Sequence, residues 1–148
     1  KLSREAAIEY AKKTISLALK ELDNLGLGHV HICPETMGKI NQLGDLDEIM
    51  RFCAVDERVI PCIDFGHLNA RDLGCIKTID DYKNIIETME NEIGTDRTKV
   101  FHSHFSKIEY SAGGEKKHLT FADNTFGPDF EPMLDLVIKN VNGEYELK

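Results

Sequence analysis

Val59-Ile60-Pro61-Cys62-Ile63-Asp64-Phe65-Gly66-His67 is the stretch that decides the fold. A short apolar run, 59–63, stops at a carboxylate, and a histidine follows three residues later. A buried parallel strand with ionisable groups just past its C-terminal end reads this way. Pro61 is awkward for a central strand, because it has no N–H to give to a ladder.

The pattern recurs on both sides. His29-Val30-His31-Ile32-Cys33 reads as a strand ending at Pro34-Glu35, and Lys99-Val100-Phe101-His102 begins another. Helical spacing separates them. Over residues 3–25, Ser3 is an N-cap, and Ile8, Ala11, Ile15, Ala18, Leu22 and Leu25 form one apolar stripe. Gly26 and Gly28 end it. Asp45 and Glu48 have the form of a capping box before Leu46, Ile49, Met50 and Cys53. Thr78 precedes a helix carrying Tyr82, Ile85, Ile86, Met89 and Ile93, stopped by Gly94. From about Phe105 to Pro128 the chain is polar and reads as a long loop. The last helix, about 129–141, turns Phe130, Met133, Leu134, Val137 and Ile138 to one side, and Asn142-Gly143 stops it. Strands alternating with helices predict an α/β fold with about three to four parallel strands.

Composition narrows the classes. The 148 residues carry 18 basic and 26 acidic side chains, a net charge of -8. No apolar run approaches the roughly 20 residues of a membrane helix. Residues 1–25 are charged and amphipathic, so no secretory leader is expected. Cys33, Cys53, Cys62 and Cys75 lie 20, 9 and 13 apart with no C-x-x-C pair, which predicts reduced core cysteines and a cytoplasmic protein. The acidic balance argues against a basic nucleic-acid surface, although bound divalent cations supply positive charge by another route.

Polar residues follow each strand: Glu35, then Asp64 and His67, then His102 and His104. Parallel α/β folds build their sites at that edge. Glu, Asp and His are ligands for divalent cations. His102 and His104 are read as alternating across their strand, with His102 the one that points to the centre. His29 and His31 share a face and read as strand-end histidines, near the surface or packed against a neighbour. His118 lies in the long loop near Lys107, Lys116 and Lys117. Asn69, with Ala70 and Arg71, is a candidate substrate contact.

Pro34-Glu35-Thr36, Cys62-Ile63-Asp64-Phe65-Gly66-His67-Leu68-Asn69-Ala70, Phe101-His102-Ser103-His104-Phe105-Ser106-Lys107 and Lys117-His118-Leu119 are similar in order and spacing to the deoxyribonuclease IV family. These are apurinic/apyrimidinic endonucleases of the xylose-isomerase-like barrel superfamily. The resemblance covers nearly the whole chain. It implies that residues 1–148 are the C-terminal half of a (β/α)8 TIM barrel. It also implies a trinuclear zinc centre, with manganese or magnesium as alternatives, and hydrolysis of the phosphodiester 5′ to an abasic site in DNA. Carried over, Glu35 is the bridging, catalytic carboxylate. Asp64, His67, His102 and His118 are further metal ligands, and Lys107 and Asn69 contact substrate.

The chain departs from the family in three places. The family pairs its loop histidine with an aspartate two residues earlier, where this chain has Lys116; a register shift would let Glu115 substitute. The family's early strands have no counterpart. The final-strand glutamate has none either, and Glu144 and Glu146 are not read as its replacements. Two open sheet edges then call for a missing barrel half or self-association, and the isolated chain is expected to bind metal weakly and turn over negligibly. Two other functions fit the strand-end residues: a sugar isomerase or epimerase of the same superfamily, and an inactive remnant acting as an interaction module.

Overall fold

The computed structural model describes residues 2–141, with side chains as far as residue 136. Helix α1 (Arg4–Asn24) begins where Ser3 accepts the Ala6 amide. Its inner stripe is Ile8, Ala11, Ile15, Leu19 and Leu22; Leu19 takes the place expected of Ala18, and Leu25 is exposed. Helix α2 (Leu46–Cys53) starts at the expected capping box, with Asp45 accepting from the Glu48 amide and Glu48 from the Asp45 amide. Arg4 donates to Glu48 and joins the two helices. Burial works against a charged Glu48. Hydrogen bonds from Arg4 and from the Gly44 and Asp45 amides outweigh it and hold the carboxyl below its ordinary range.

The parallel layer has β1 (Cys62–Asp64) at its centre. Helix α3 (Phe65–Arg71) follows directly, then α4 (Ile79–Ile93) and a short α5 (Thr95–Thr98). Strand β2 (His102–His104) pairs with β1 in parallel, Cys62 opposite His102 and Asp64 opposite His104. On the other side of β1, residues 32–36 meet it through isolated parallel bridges, Ile32 to Val59 and Glu35 to Cys62. Prolines account for the short strands. Ile60 and Cys62 donate to Ile32 and Pro34, but Pro34 has no N–H to return. Pro61 accepts from His102 yet donates nothing, so regular pairing with β2 begins only at Cys62.

The stretch expected as a long polar loop contains an antiparallel hairpin, β3 (Lys107–Ser111) and β4 (Gly114–Leu119). Ile108 is the one aliphatic residue of β3, and the exposed polar face hid the alternation. The described chain is thus mixed helix and strand with two small sheets. The expected three to four parallel strands become two, a bridged segment, and this hairpin.

Ile63, Phe65, Tyr82, Ile49 and Met89 are fully buried between the parallel layer and the helices, with the Phe65 and Tyr82 rings 5.3 Å apart. Of the four free cysteines, Cys53 and Cys62 belong to the interior; Cys33 and Cys75 are exposed, against expectation. Helix α6 (Glu131–Val141) buries Met133 and Leu136, while Phe130 and Leu134 are exposed. Asn142-Gly143, Glu144 and Glu146 lie outside the described residues, as do the side chains of Val137 and Ile138. Among the described residues no helix is long and apolar enough to cross a membrane.

Candidate metal centre

Paired residues on neighbouring parallel strands point the same way, and residues i and i+2 share a face. Glu35, Cys62, Asp64, His102 and His104 therefore lie on one side of the layer, while Ile63 enters the core. This corrects the reading of the two histidines. They do not alternate; their rings sit 5.2 Å apart at 82°. His104, not His102, reaches Glu35, with Nδ1 3.0 Å from Oε1. His102 groups instead with Cys62 and His104. Burial, then Glu35 and other acidic neighbours, pushes the Cys62 thiol up to about 12.

Asp64 ends β1 and caps α3, its Oδ1 accepting the His67 amide at 2.9 Å. That cap gives the Asp-x-x-His spacing its structural meaning: it fixes the first turn, which brings His67 back over the carboxylates. His67 Nδ1 lies 2.8 Å from the Thr36 carbonyl oxygen and 3.6 Å from both Glu35 Oε1 and Asp64 Oδ2. A carbonyl only accepts, so Nδ1 carries the proton and the lone pair sits on Nε2.

Nε2 faces the hairpin. It lies 3.3 Å from His118 Nε2 and 3.7 Å from Glu115 Oε2. His118 Nε2 is 3.6 Å from Glu115 Oε1, and the Ser106 hydroxyl holds the other His118 nitrogen at 2.9 Å. Ligand atoms within 4.8 Å of one another thus occur as Glu35-Asp64-His67 and as His67-Glu115-His118. The tautomer separates the groups. His67 gives its lone pair to the second and turns its N–H side to the first.

Two observations fit these donors to a divalent cation. Tetrahedral zinc with bonds of about 2.0–2.1 Å sets its ligands about 3.3 Å apart. The His67 and His118 nitrogens, 3.3 Å apart, lie close to that edge, and Glu115 reaches them with different carboxylate oxygens, Oε2 at 3.7 Å and Oε1 at 3.6 Å. The second observation is charge. Among the described residues, Glu35, Asp64 and Glu115 have only histidines as ion-pair partners, with no lysine or arginine. Asp64 is 3% exposed. A buried carboxylate without a cation is costly.

Other expected residues lie apart from this cluster. Asn69 is two residues from His67 on α3, about 200° round the helix. It is buried, and its Oδ1 accepts the Ile76 amide at 2.9 Å. Lys107 is also buried, its Nζ 2.6 Å from the Asp123 carbonyl and 2.7 Å from Asp129 Oδ1. Both line a separate cleft of about 290 Å³ with Tyr110, Phe126 and Asp129. Arg71 is structural: its guanidinium donates to the carbonyls of Met37, Lys39, Ile40 and Gln42 at 2.8–3.2 Å. His29 and His31 are exposed, as expected. Sequence reading weighed His104 but preferred His102, and it missed the parts played by Ser106 and the Thr36 carbonyl. The quoted Pro34-Glu35-Thr36 segment already contained the last of these.

Two known proteins are similar to this chain. An uncharacterized protein of Methanocaldococcus jannaschii is 39% identical over 126 residues, 85% of this chain and 45% of that protein. A probable endonuclease 4 of Staphylococcus carnosus is 38% identical over 88 residues, 56% of this chain and 29% of that protein. The chain therefore spans less than half the length of the curated relatives it matches. No family model matches it, and no solved structure does.

Proposed function

We propose that this chain is part of a metal-dependent phosphodiesterase of the deoxyribonuclease IV kind, which hydrolyses DNA on the 5′ side of an abasic site. In this reading the parallel layer is a portion of a (β/α)8 barrel. The rest, from further length or another chain, covers its edges. The observation that carries the proposal is the meeting of Glu35, Asp64 and Glu115 with His67, His104 and His118, with no lysine or arginine paired to these carboxylates among the described residues. The partial likeness to a probable endonuclease 4 favours nuclease chemistry.

Zinc suits the mixed nitrogen and oxygen donors, with manganese or magnesium as alternatives. When bound, such cations neutralise charge developing on a phosphodiester and make water more acidic. They also offset the chain's negative charge where DNA approaches. Glu35, Asp64, His67, His104 and His118 are the proposed ligands from the strand ends and hairpin, with His102 beside His104. The protein's own part is orientation. Thr36 and Ser106 fix the rings of His67 and His118, and Asp64 fixes the first turn of α3. Glu35, half-buried beside His104, is the proposed catalytic carboxylate, placed among the cation-binding groups where it would orient a water toward the scissile phosphate. A cytoplasmic location belongs to the same reading and rests on the four free cysteines.

A sugar isomerase or epimerase of the superfamily needs one cation. The carboxylate pair Glu35 and Asp64 on one side of His67, and the His67-Glu115-His118 group on the other, favour more than one. The test is incision of a duplex bearing a single abasic-site analogue by the full-length gene product. One nick 5′ to the lesion, lost with chelator and restored by zinc, is expected. An intact duplex with metal-replete protein overturns the proposal.

A further inference from the structure

Glu115 and His118 are three residues apart in β4. In a regular strand an odd separation puts side chains on opposite faces, and Lys116, two residues from His118, would share its face. The pairing register reverses this. Glu109 pairs with Lys117 and Tyr110 with Glu115, so Lys116 has no partner across the ladder. It is a one-residue bulge, a device that re-aims side chains. Glu115 is thereby brought to His118's side, 3.6 Å from its Nε2. Lys116 turns away, its Nζ 2.6 Å from Glu109 Oε1. Two contacts seat Glu115 from the other side. Its amide donates to the Gly38 carbonyl at 2.9 Å. A Cβ on Gly38 would lie 2.7 Å from Glu115 Cβ and 3.2 Å from His67 Cδ2, so only glycine leaves this room.

We infer that Glu115, phased by the bulge at Lys116 and seated against Gly38, is the carboxylate donor to the cation shared by His67 and His118. The inference rests on the metal reading of the site, but it is measured by metal content rather than by DNA cleavage. Failure of one is therefore distinguishable from failure of the other.

The experiment is zinc stoichiometry and competition affinity on the full-length protein, with circular dichroism as the folding control. Glu115→Gln lowers the affinity of one site by at least about tenfold, the scale on which even supporting residues act. The swap Glu115→Lys with Lys116→Glu keeps composition and charge, yet loses one zinc equivalent, because position 116 faces Glu109. Deleting Lys116 keeps full stoichiometry: the remaining pairs form a continuous ladder, with the glutamate now two residues from the histidine. Full zinc binding in Glu115→Gln or in the swap overturns the inference, as does loss of zinc in a folded Lys116 deletion. A wild-type protein that binds no zinc also overturns it.

Discussion

The Thr36 carbonyl oxygen and His67 Nδ1 lie 2.8 Å apart, and this contact decides where the imidazole offers its lone pair. The same residue works through its hydroxyl. Thr36 Oγ1 accepts the Asp64 amide at 2.8 Å and donates to the Asp64 carbonyl at 3.2 Å. Residue 36 thus ties the end of one parallel segment to the cap of α3.

Thr36→Val keeps the shape and removes the hydroxyl, leaving the Asp64 amide without a partner in the interior. The expected cost is about 1–3 kcal/mol in urea unfolding. Zinc affinity falls about tenfold or more as α3 loosens, and Thr36→Ser restores most of both. A Thr36→Val protein of wild-type stability would show that the hydroxyl bridge is dispensable.

Gly38→Ala and Gly66→Ala separate site from scaffold. At Gly38 an added Cβ meets the side chains of Glu115 and His67; at Gly66 it meets the Ser106 backbone carbonyl at 2.3 Å. Gly38→Ala is expected to weaken zinc binding and also to lower the thermal midpoint, because Glu115 Cβ moves only with the backbone of β4. Gly66→Ala is expected to destabilise by about 1–3 kcal/mol, because backbone cannot step aside. Calorimetry and zinc competition on both variants check the contrast.

Acid acts on Glu48. Its carboxyl is held below the ordinary 4.5, so its contribution to stability is full above that value and fades as pH falls through the folded value. Wild type is therefore expected to exceed Glu48→Gln in urea midpoint at pH 7. The gap closes towards pH 3. A gap that persists unchanged at pH 3 contradicts this assignment.

Thiol chemistry reports on the interior. Burial pushes Cys53 and Cys62 each up to about 12, so both remain protonated at pH 8. Titration with a disulfide reagent is expected to show Cys33 reacting first. Cys75, raised by partial burial and by Asp72, follows. Cys53 and Cys62 react only in denaturant. Four equally fast thiols would place β1 outside the core.

Helices α1, α2 and α4 were legible because each carries both a periodic stripe and a cap, at Ser3, Asp45 and Thr78; α3 and α5, too short to show a stripe, were not. Polar residues at strand ends were legible for a similar reason: Asp64 ends an apolar run and caps the next helix. The hairpin was not, because Ile108 alone marks its buried face among lysines, glutamates and glycines. Its bulge was hidden too, since spacing counts residues and the ladder leaves one unpaired. His104 was lost to a misapplied period of two. The substrate contacts expected of Asn69 and Lys107 rested on position along the chain, and partners separate in sequence, Ile76 and Asp129, direct both side chains away from the cluster.

Arg71 grips four carbonyls of the 37–42 loop from the same short helix that carries His67. Loop and helix are therefore clamped into one rigid body. Gly38, against which Glu115 fits, sits in that loop between the Met37 and Lys39 carbonyls that the guanidinium holds. A lysine, with a single point charge, could not serve four acceptors at once. Its effect would surface on a hairpin more than forty residues further along the chain.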